Sequence, residues 1–223
     1  MLLAAGASRR MGHHKALLRT GGRSFAARGL EVLWSACDVV VVVLGAQAAR
    51  VRDALASDVE RAAGKRVRRS LGGRATSRLA ARLVVNRAWA RGMFGSVKLG
   101  LRAALRFDPD ALLVLPVDHP AVRPATVRAL AGTMEEALGA FGARRASAGF
   151  AYALVPRYRR RRGHPLALST ALARAIVADA YATDLSDAVR RNARLVGFLD
   201  GADPGILFNL NTPAGRSKGS LHA

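Results

Sequence analysis

Short, wholly apolar runs alternate along this chain with longer stretches in which apolar positions recur at helical spacing. Val39–Leu44 reads VVVVVL and is followed by a glycine, which is the pattern of a strand buried on both faces of a parallel sheet. Similar runs predict strands at residues 111–115 and 150–155, and residues 2–5 are typical of a strand end. Because an average strand has about five to six residues, we expect the opening of the first strand to precede Met1.

Helical periodicity occupies the segments between these runs. The predicted helices span residues 24–35, 47–62, 96–106 and 124–138. Pro124 suits a first helical turn, and Gly139 suits the position just past a helix end. Strands that alternate with helices predict an α/β fold, in three α/β/α layers around a mostly parallel sheet. Residues 64–82 show no clear period.

The composition indicates one soluble domain. The 223 residues suit a single domain over residues 1–214 with a flexible tail at 215–223. A hydrophobic content of 51% is enough for a core. The lone Cys37 cannot form an internal disulfide, and no Cys/His cluster has zinc-ligand spacing. The apolar runs are too short to span a bilayer and no secretory signal is evident, so we expect a cytoplasmic protein without a membrane partner.

The charge is strongly positive, with 36 Lys and Arg against 15 Asp and Glu, or +21. Residues 50–91 carry 12 basic and three acidic side chains, and residues 144–162 carry seven basic and no acidic ones. These stretches form either an electropositive rim for an anionic ligand or a solvated basic face. Trp89 is the one aromatic residue in 50–91, so the stacking pattern of a single-strand-binding protein is missing and nucleic acid is disfavoured.

A loop of small residues and cations follows the first strand. Residues 3–15 read LAAGASRRMGHHK. Gly6 and Gly12 permit close backbone approach to a phosphate chain, and Arg10 and Lys15 can neutralise a triphosphate from two sides. Neither the Walker pattern nor the dinucleotide glycine pattern occurs. The alternative is a surface turn with incidental cations.

Oxygen-bearing side chains follow later apolar segments. Asp118 comes after the predicted strand at 111–115, so it should lie at the carboxyl edge of the sheet, where open α/β folds bind ligands. A carboxylate there suits Mg²⁺ bound together with phosphate oxygens, and a cap of the next helix is the alternative. Asn209 and Asn211 flank one apolar position, so on an extended chain they point the same way. Otherwise they form a plain turn before Pro213.

Residues 3–15 resemble the signature LAAGxSxRMGxxK of the MobA-like NTP transferases, which include the molybdenum cofactor cytidylyltransferases and guanylyltransferases. Other segments resemble that family in the same order, over about the whole chain. They are the Asn86-x-x-Trp89-x-x-Gly92-Met93-x-x-Ser96 segment, LPVDHP at 115–120, GHP at 163–165, DPGIL at 203–207 and NLNTP at 209–213. The resemblance implies a Rossmann-like fold of the nucleotide-diphospho-sugar-transferase type.

The resemblance also implies a set of site residues. The implied catalytic residues are Arg10, Lys15 and Asp118, and the implied metal ligands are Asp118 and Asn211. The implied nucleotide-binding residues are Leu3, Ala4, Ala5, Gly6, Ser8, Arg10, Lys15, Asn86, Gly92, Met93 and Ser96. The implied acceptor-binding residues are His119, Gly163, His164 and Pro165.

Several of these residues have a structural alternative. Ser96 could be a helix N-cap beside a core Trp89, and His119 could be purely structural. His13 and His14 occupy variable positions of the signature and are expected to be solvated.

The function implied by the resemblance is transfer of a nucleoside monophosphate from an NTP to a phosphorylated acceptor, with Mg²⁺, or Mn²⁺ in its place, and release of pyrophosphate. The acceptor would be the molybdenum cofactor (molybdopterin), and a molybdoenzyme or its chaperone would be a further partner. Residues 183–187 depart from the Gly-Asp-x-Gly of many cytidylyltransferases, which leaves a sugar phosphate or another small phosphate open as acceptor. A non-catalytic protein that binds nucleic acid or a cofactor is the alternative outside enzymes.

Ala5 bears on the choice of nucleotide. Guanylyl-specific members of the resembling family read Leu-Ala-Gly-Gly at this turn, whereas cytidylyl-specific members carry Ala before the second Gly. This chain has Ala4-Ala5-Gly6, so the resemblance favours CTP.

Overall fold

The computed structural model describes residues 1–7, 13–69, 80–144 and 149–209. Ten strands lie in these residues: β1 Leu2–Ala4, β2 Arg19–Thr20, β3 Arg23–Ser24, β4 Val39–Leu44, β5 Ala80–Val85, β6 Ala111–Pro116, β7 Tyr152–Tyr158, β8 Arg161–Arg162, β9 Leu166–Ser169 and β10 Leu195–Asp200. The α-helices there are α1 Phe25–Leu33, α2 Ala48–Arg69, α3 Met93–Ala104, α4 Pro124–Arg144, α5 Thr170–Ala178 and α6 Leu185–Asn192.

One mixed sheet organises the described chain, in the order β10-β7-β9-β6-β1-β4-β5, with β8 paired to β7. The strands β5, β4, β1 and β6 are mutually parallel, and β9 runs antiparallel to both β6 and β7. The carboxyl ends of β1, β4, β5, β6, β7 and β10 therefore meet the amino end of β9 at one edge, which we call the carboxyl edge.

Helices cover both faces of the sheet, which confirms the predicted α/β/α layers. Alternation along β1 divides its side chains between the layers: Leu2 and Ala4 pack with α1, α2 and α4, while Leu3 packs with α3, α5 and α6. The run of valines in β4 is buried on both faces, as a central strand requires. In the described residues, no helix is long and apolar enough to cross a membrane.

A small hairpin of β2 and β3 is held against α2 by the Asp58 carboxylate. Asp58 on α2 is buried and accepts hydrogen bonds from the Ser24 amide at 3.0 Å and the Ser24 hydroxyl at 2.6 Å. The Arg19 guanidinium donates to the same carboxylate at 2.8 Å. Burial alone would raise the pKa of Asp58, but the hydrogen bonds from Ser24 and Arg19 outweigh it and the pKa is lowered.

The strand predictions are confirmed more closely than the helix boundaries. The predicted helix at 96–106 begins earlier, at Met93. The predicted end at 138 is wrong, because α4 continues through Gly139 to Arg144. Gly139 does not adopt the positive φ of a helix-ending glycine, and a glycine within a helix costs only about 1 kcal/mol.

Candidate active site

A cleft of about 350 Å³ opens at the carboxyl edge, on the face covered by α3. Its walls come from the loop after β1, the turn after β5, the first turns of α3 and the end of β6. The lining residues are Leu3, Ala5, Gly6, Ala7, Lys15, Trp89, Ala90, Met93, Ser96, Pro116, Val117 and Asp118. A volume of this size is within the range of small-ligand sites.

One ion pair joins the β1 and β6 sides of the cleft. Lys15 belongs to a short 3-10 helix anchored by the fully buried Ala16, and its Nζ lies 3.2 Å from Asp118 Oδ2. The two side chains are 15% and 17% exposed, so both remain within reach of a ligand. The structure thus brings together two of the three predicted catalytic residues across 103 positions of sequence.

Asp118 does not cap the next helix, so that alternative is wrong. The start of α4 is held instead by Asp203, whose Oδ2 accepts from the Arg123 amide at 2.9 Å and the Thr126 hydroxyl at 2.7 Å. Its Oδ1 accepts from the Gly205 amide at 2.9 Å. Asp203 therefore fastens the 203–207 segment to α4 and leaves Asp118 to the cleft.

The wall that carries Ala5 is tightly packed. The Ala5 carbonyl accepts from the Ala46 amide at 3.1 Å. A Cβ added at Gly45 would lie 2.9 Å from Ala5 Cβ and 2.8 Å from Trp89 Cβ, so only glycine fits between them. Trp89 packs on the core and also lines the cleft. Gly45 was missed as a supporting residue, although its place directly after β4 at the carboxyl edge could have indicated it.

Asn86 and Ser96 act as a pair beside the cleft. Asn86 Nδ2 donates to Ser96 Oγ at 2.8 Å, and Asn86 Oδ1 accepts from the Ala88 amide at 2.9 Å. Ser96 lines the cleft within α3, and the N-cap position belongs to Gly92, at φ +129°. The N-cap alternative for Ser96 is therefore wrong. The positive φ of Gly92 turns the chain into α3 and brings Met93, which is 68% exposed, to the cleft.

The predicted acceptor residues lie together behind Asp118 and are largely buried. The rings of His119 and His164 have centroids 4.7 Å apart with planes at 60°. His119 is 8% exposed, Pro165 is buried, and Gly163 and His164 are half-buried. Burial lowers the pKa of both histidines, to about 4 for His164, where the neighbouring His119 lowers it further. At neutral pH both rings are neutral.

The expectation that His14 is solvated is wrong, whereas His13 is exposed as expected. His14 is buried directly before the 3-10 helix that carries Lys15. Burial lowers the pKa of His14, and the interaction with the Ala46 backbone offsets part of this shift. The two adjacent histidines therefore differ in solvent exposure because they pack differently.

Other predicted residues lie away from the cleft or outside the described chain. The Ala4 side chain is buried on the opposite face of the sheet, and Asn86 stands behind Ser96. Asn209 is exposed. Three predicted residues, Ser8, Arg10 and Asn211, lie outside the described residues.

The carboxylate at the cleft suits a metal ion that is bound together with substrate phosphates. Among residues 1–7, 13–69, 80–144 and 149–209, no three His, Cys, Asp or Glu side chains converge as a metal centre. Asp118 is thus the one carboxylate lining the described cleft. Mg²⁺ commonly binds one or two carboxylates together with substrate phosphates and water, so this donor set fits it.

Solved structures share this fold at low sequence identity. A nucleotidyl transferase from Methanothermobacter matches with TM-score 0.69 and 22% identity, over 97% of this chain and 93% of that one. A Mycobacterium tuberculosis protein solved as a manganese complex matches with TM-score 0.59 and 20% identity, over 97% and 94%.

Two further matching structures have names that state a more specific role. The 2-C-methyl-D-erythritol 4-phosphate cytidylyltransferase of Thermus thermophilus gives TM-score 0.57 and 21% identity, over 97% and 94%. The molybdopterin-guanine dinucleotide biosynthesis protein A of Archaeoglobus fulgidus gives TM-score 0.51 and 18% identity, over 97% and 94%. At these identities the matches establish the fold alone.

Sequence comparison assigns the family. A search of curated proteins gives no match. The MobA-like NTP transferase domain matches residues 1–195 of the 223, which confirms the resemblance seen in the signature. The chain is a member of the MobA-like NTP transferase family.

Proposed function

We propose that this protein is a Mg²⁺-dependent cytidylyltransferase that transfers CMP from CTP to a phosphorylated acceptor, the molybdenum cofactor. Nucleotidyl transfer is the activity of its family. The observation that carries the proposal is the Lys15–Asp118 pair, which places a cation and a carboxylate 3.2 Å apart in the described cleft. The cytoplasmic location and a molybdoenzyme partner stay predictions.

The reaction needs alignment and charge neutralisation rather than a protein nucleophile. An oxygen of the acceptor phosphate attacks the α-phosphorus of CTP, the bond from that phosphorus to the bridging oxygen breaks, and pyrophosphate leaves. Bound at Asp118, Mg²⁺ would neutralise phosphate oxygens. The Lys15 ammonium neutralises the triphosphate, and Arg10 of the signature is proposed to act from its other side.

The described cleft supplies contacts for the nucleoside. Because Ser96 Oγ accepts from Asn86, its own hydrogen can be directed at the base or ribose. Leu3, Ala5 and Trp89 give apolar walls, which suit a flat ring. The acceptor would enter from the side of Gly163 and His164, which are half-buried directly before β9 at the carboxyl edge.

Pyrophosphate release tests the proposal directly. Purified protein is supplied with Mg²⁺ and each of the four NTPs, with and without molybdenum cofactor. We expect release with CTP that depends on both the metal and the acceptor. A 2-C-methyl-D-erythritol 4-phosphate arm separates the two acceptor classes, and turnover only in that arm would overturn the molybdenum cofactor assignment.

The packed wall at Ala5 predicts the nucleotide preference. Its methyl group, held against Gly45 and Trp89, takes space that a purine needs and a pyrimidine does not. One methyl discriminates by about 10–200-fold, and a packed wall yields little. We therefore expect CTP to exceed GTP in kcat/KM, and Ala5→Gly to move this ratio toward GTP by about tenfold.

Ala46→Gly is the matched control for this change. Ala46 is buried to the same extent as Ala5, 7% against 6% exposed, but does not line the cleft. We expect it to cost similar stability while keeping the CTP/GTP ratio. Wild-type protein that prefers GTP, or equal shifts in both variants, would contradict the steric argument.

The hairpin between β7 and β8 carries the densest positive charge of the described chain. Arg157 is paired with Asp200 at 2.6 and 2.9 Å, and Arg162 lies 5.0 Å from the Phe198 ring centre. The turn residues Arg159 and Arg160 have φ of 49° and 64°, a conformation that favours Asn-Gly. The hairpin leads directly into Gly163, so its arginines are placed to attract an anionic acceptor.

Neutralising the turn should weaken acceptor capture alone. We expect the triple change Arg159→Asn, Arg160→Gly and Arg161→Gln to raise the acceptor KM several-fold and to flatten its salt dependence. The CTP KM should stay unchanged. The matched control removes three exposed charges elsewhere, in Arg102→Gln, Arg106→Gln and Arg128→Gln. An equal rise in the CTP KM would argue for general destabilisation instead.

A further inference from the structure

The Asn86 carboxamide joins two walls of the cleft. Asn86 follows β5, and its backbone amide donates to the Leu44 carbonyl at 2.8 Å, which ties it to the end of β4. Its side chain is 8% exposed and contacts both the turn that carries Trp89 and Ser96 of α3. Asn86 therefore holds these two walls in a fixed relation to the sheet.

A backbone amide decides which way this carboxamide points. The Ala88 N–H can only donate, so the atom that faces it at 2.9 Å must be the carboxamide oxygen Oδ1. With Oδ1 held there, Nδ2 faces Ser96 Oγ at 2.8 Å. A flipped carboxamide would place its nitrogen against the Ala88 N–H, donor against donor. The orientation of Asn86 is therefore fixed by the backbone.

The orientation of Asn86 sets the role of the Ser96 hydroxyl. Because Nδ2 is only a donor, Ser96 Oγ must accept from it, and the single hydroxyl hydrogen of Ser96 points elsewhere. In the part of the chain that the structure describes, this hydrogen has no acceptor. Ser96 is 2% exposed and lines the cleft. Since a buried donor without an acceptor is costly, a ligand that supplies an acceptor there is favoured.

A donor of fixed direction can tell cytosine from uracil, which the packed wall at Ala5 cannot do. The two rings have nearly the same size. They differ at N3, an acceptor in cytosine and an N–H donor in uracil, and at C4, which bears an amino donor in cytosine and a carbonyl acceptor in uracil. A protein donor that faces N3 therefore favours cytosine, and such contacts with base edges are a common means of reading a base.

We infer that Asn86 is a specificity-determining residue, which holds the Ser96 hydroxyl as a donor toward N3 of cytosine and so favours CTP over UTP. Asn86 acts through Ser96, as a positioning residue, and does not itself contact the base. The inference rests on the proposed function, because it concerns the nucleotide bound at the same cleft.

Two substitutions separate the direction of the hydrogen bond from the shape of the site. Asn86→Asp has nearly the same volume and keeps an oxygen for the Ala88 amide, but its second oxygen can only accept. Ser96 would then donate to that oxygen and present only lone pairs to the cleft. Ser96→Ala removes the hydroxyl altogether, and it tests the inference by itself if melting curves show that Asn86→Asp does not fold.

The ¹H–¹⁵N spectrum of the ligand-free protein tests the contact without any nucleotide. The carboxamide resonances of Asn86 are identified by their loss in Asn86→Asp. We expect Ser96→Ala to shift them. Ser35→Ala is the matched control, because it removes a hydroxyl that donates to the Val32 carbonyl at 2.6 Å, and it should leave them in place. Resonances that do not respond to Ser96→Ala would overturn the contact, whatever the protein catalyses.

Calorimetric titration with α,β-methylene-CTP and α,β-methylene-UTP, each with Mg²⁺, tests the specificity. The ratio of the two Kd values is measured, because the charge added in Asn86→Asp repels both triphosphates alike and cancels in the ratio. One hydrogen bond contributes about tenfold, so we expect the wild type to favour the CTP analogue by about tenfold. Asn86→Asp and Ser96→Ala should each lose this preference, and adding Asn86→Asp to Ser96→Ala should leave the ratio unchanged.

The titration also separates this inference from the proposed function. Equal binding of the two analogues by the wild type, or an unchanged ratio in Asn86→Asp, would overturn the inference and leave nucleotidyl transfer standing. A shift caused by Asn86→Asp that is as large in the Ser96→Ala background would overturn it too, because Asn86 would not act through Ser96. Binding of neither analogue would overturn the proposed function together with the specificity role, and the spectra would still decide the contact between Asn86 and Ser96.

Discussion

Replacing Asp118 with asparagine should abolish nucleotidyl transfer almost completely, by about 10³-fold or more in kcat. Asp118 is the carboxylate that lines the described cleft and the proposed metal ligand, so its loss would remove that ligand together with the ion pair to Lys15. Loss of one preorganised charge contact costs about 10²–10³, and loss of metal chemistry adds to it. Steady-state kinetics and Mn²⁺ binding measure the two effects.

The fold should survive this change. Asp118 lies at a strand end and is 17% exposed, and asparagine has nearly the same volume and keeps a side-chain oxygen that can accept from the Lys15 ammonium. Asp108→Asn makes the same substitution at a side chain that is 92% exposed, with a positive φ that asparagine tolerates. Asp203→Asn should instead lower the melting temperature through the start of α4. If Asp118→Asn unfolds the protein, its main role is structural.

The sequence reveals the elements whose signal is local. The run of Val39–Leu44 is apolar throughout, so its prediction as a strand is confirmed at both ends. The sequence pattern did not predict the strands Leu166–Ser169 and Leu195–Asp200. The first has only four residues, and the second is partly exposed with a glycine in it. Their pairing with distant strands, rather than their own pattern, makes them strands.

In the candidate site, too, some features can be predicted from the sequence and others cannot. The positions of Lys15 and Asp118 follow from strand ends and loop composition, which the sequence displays. The different burial of His13 and His14, and the contact between the His119 and His164 rings, depend on segments far apart in the chain. Such contacts have no periodicity to reveal them, so the sequence left His119 open between a structural and an acceptor role.

Lys15→Ala should lower kcat/KM by about 10²-fold or more, because the proposed charge contact to the triphosphate in the transition state would be lost. Lys15 also contacts Asp118 at 3.2 Å. The reduction of activity in Lys15→Ala should therefore not add to the reduction in Asp118→Asn. The double variant should be about as slow as Asp118→Asn alone. Lys98→Ala is the control, because the Lys98 ammonium donates to the Asp179 carbonyl and does not line the cleft. Unchanged turnover in Lys15→Ala would remove Lys15 from the mechanism, and full additivity would mean that the two side chains act separately on the nucleotide.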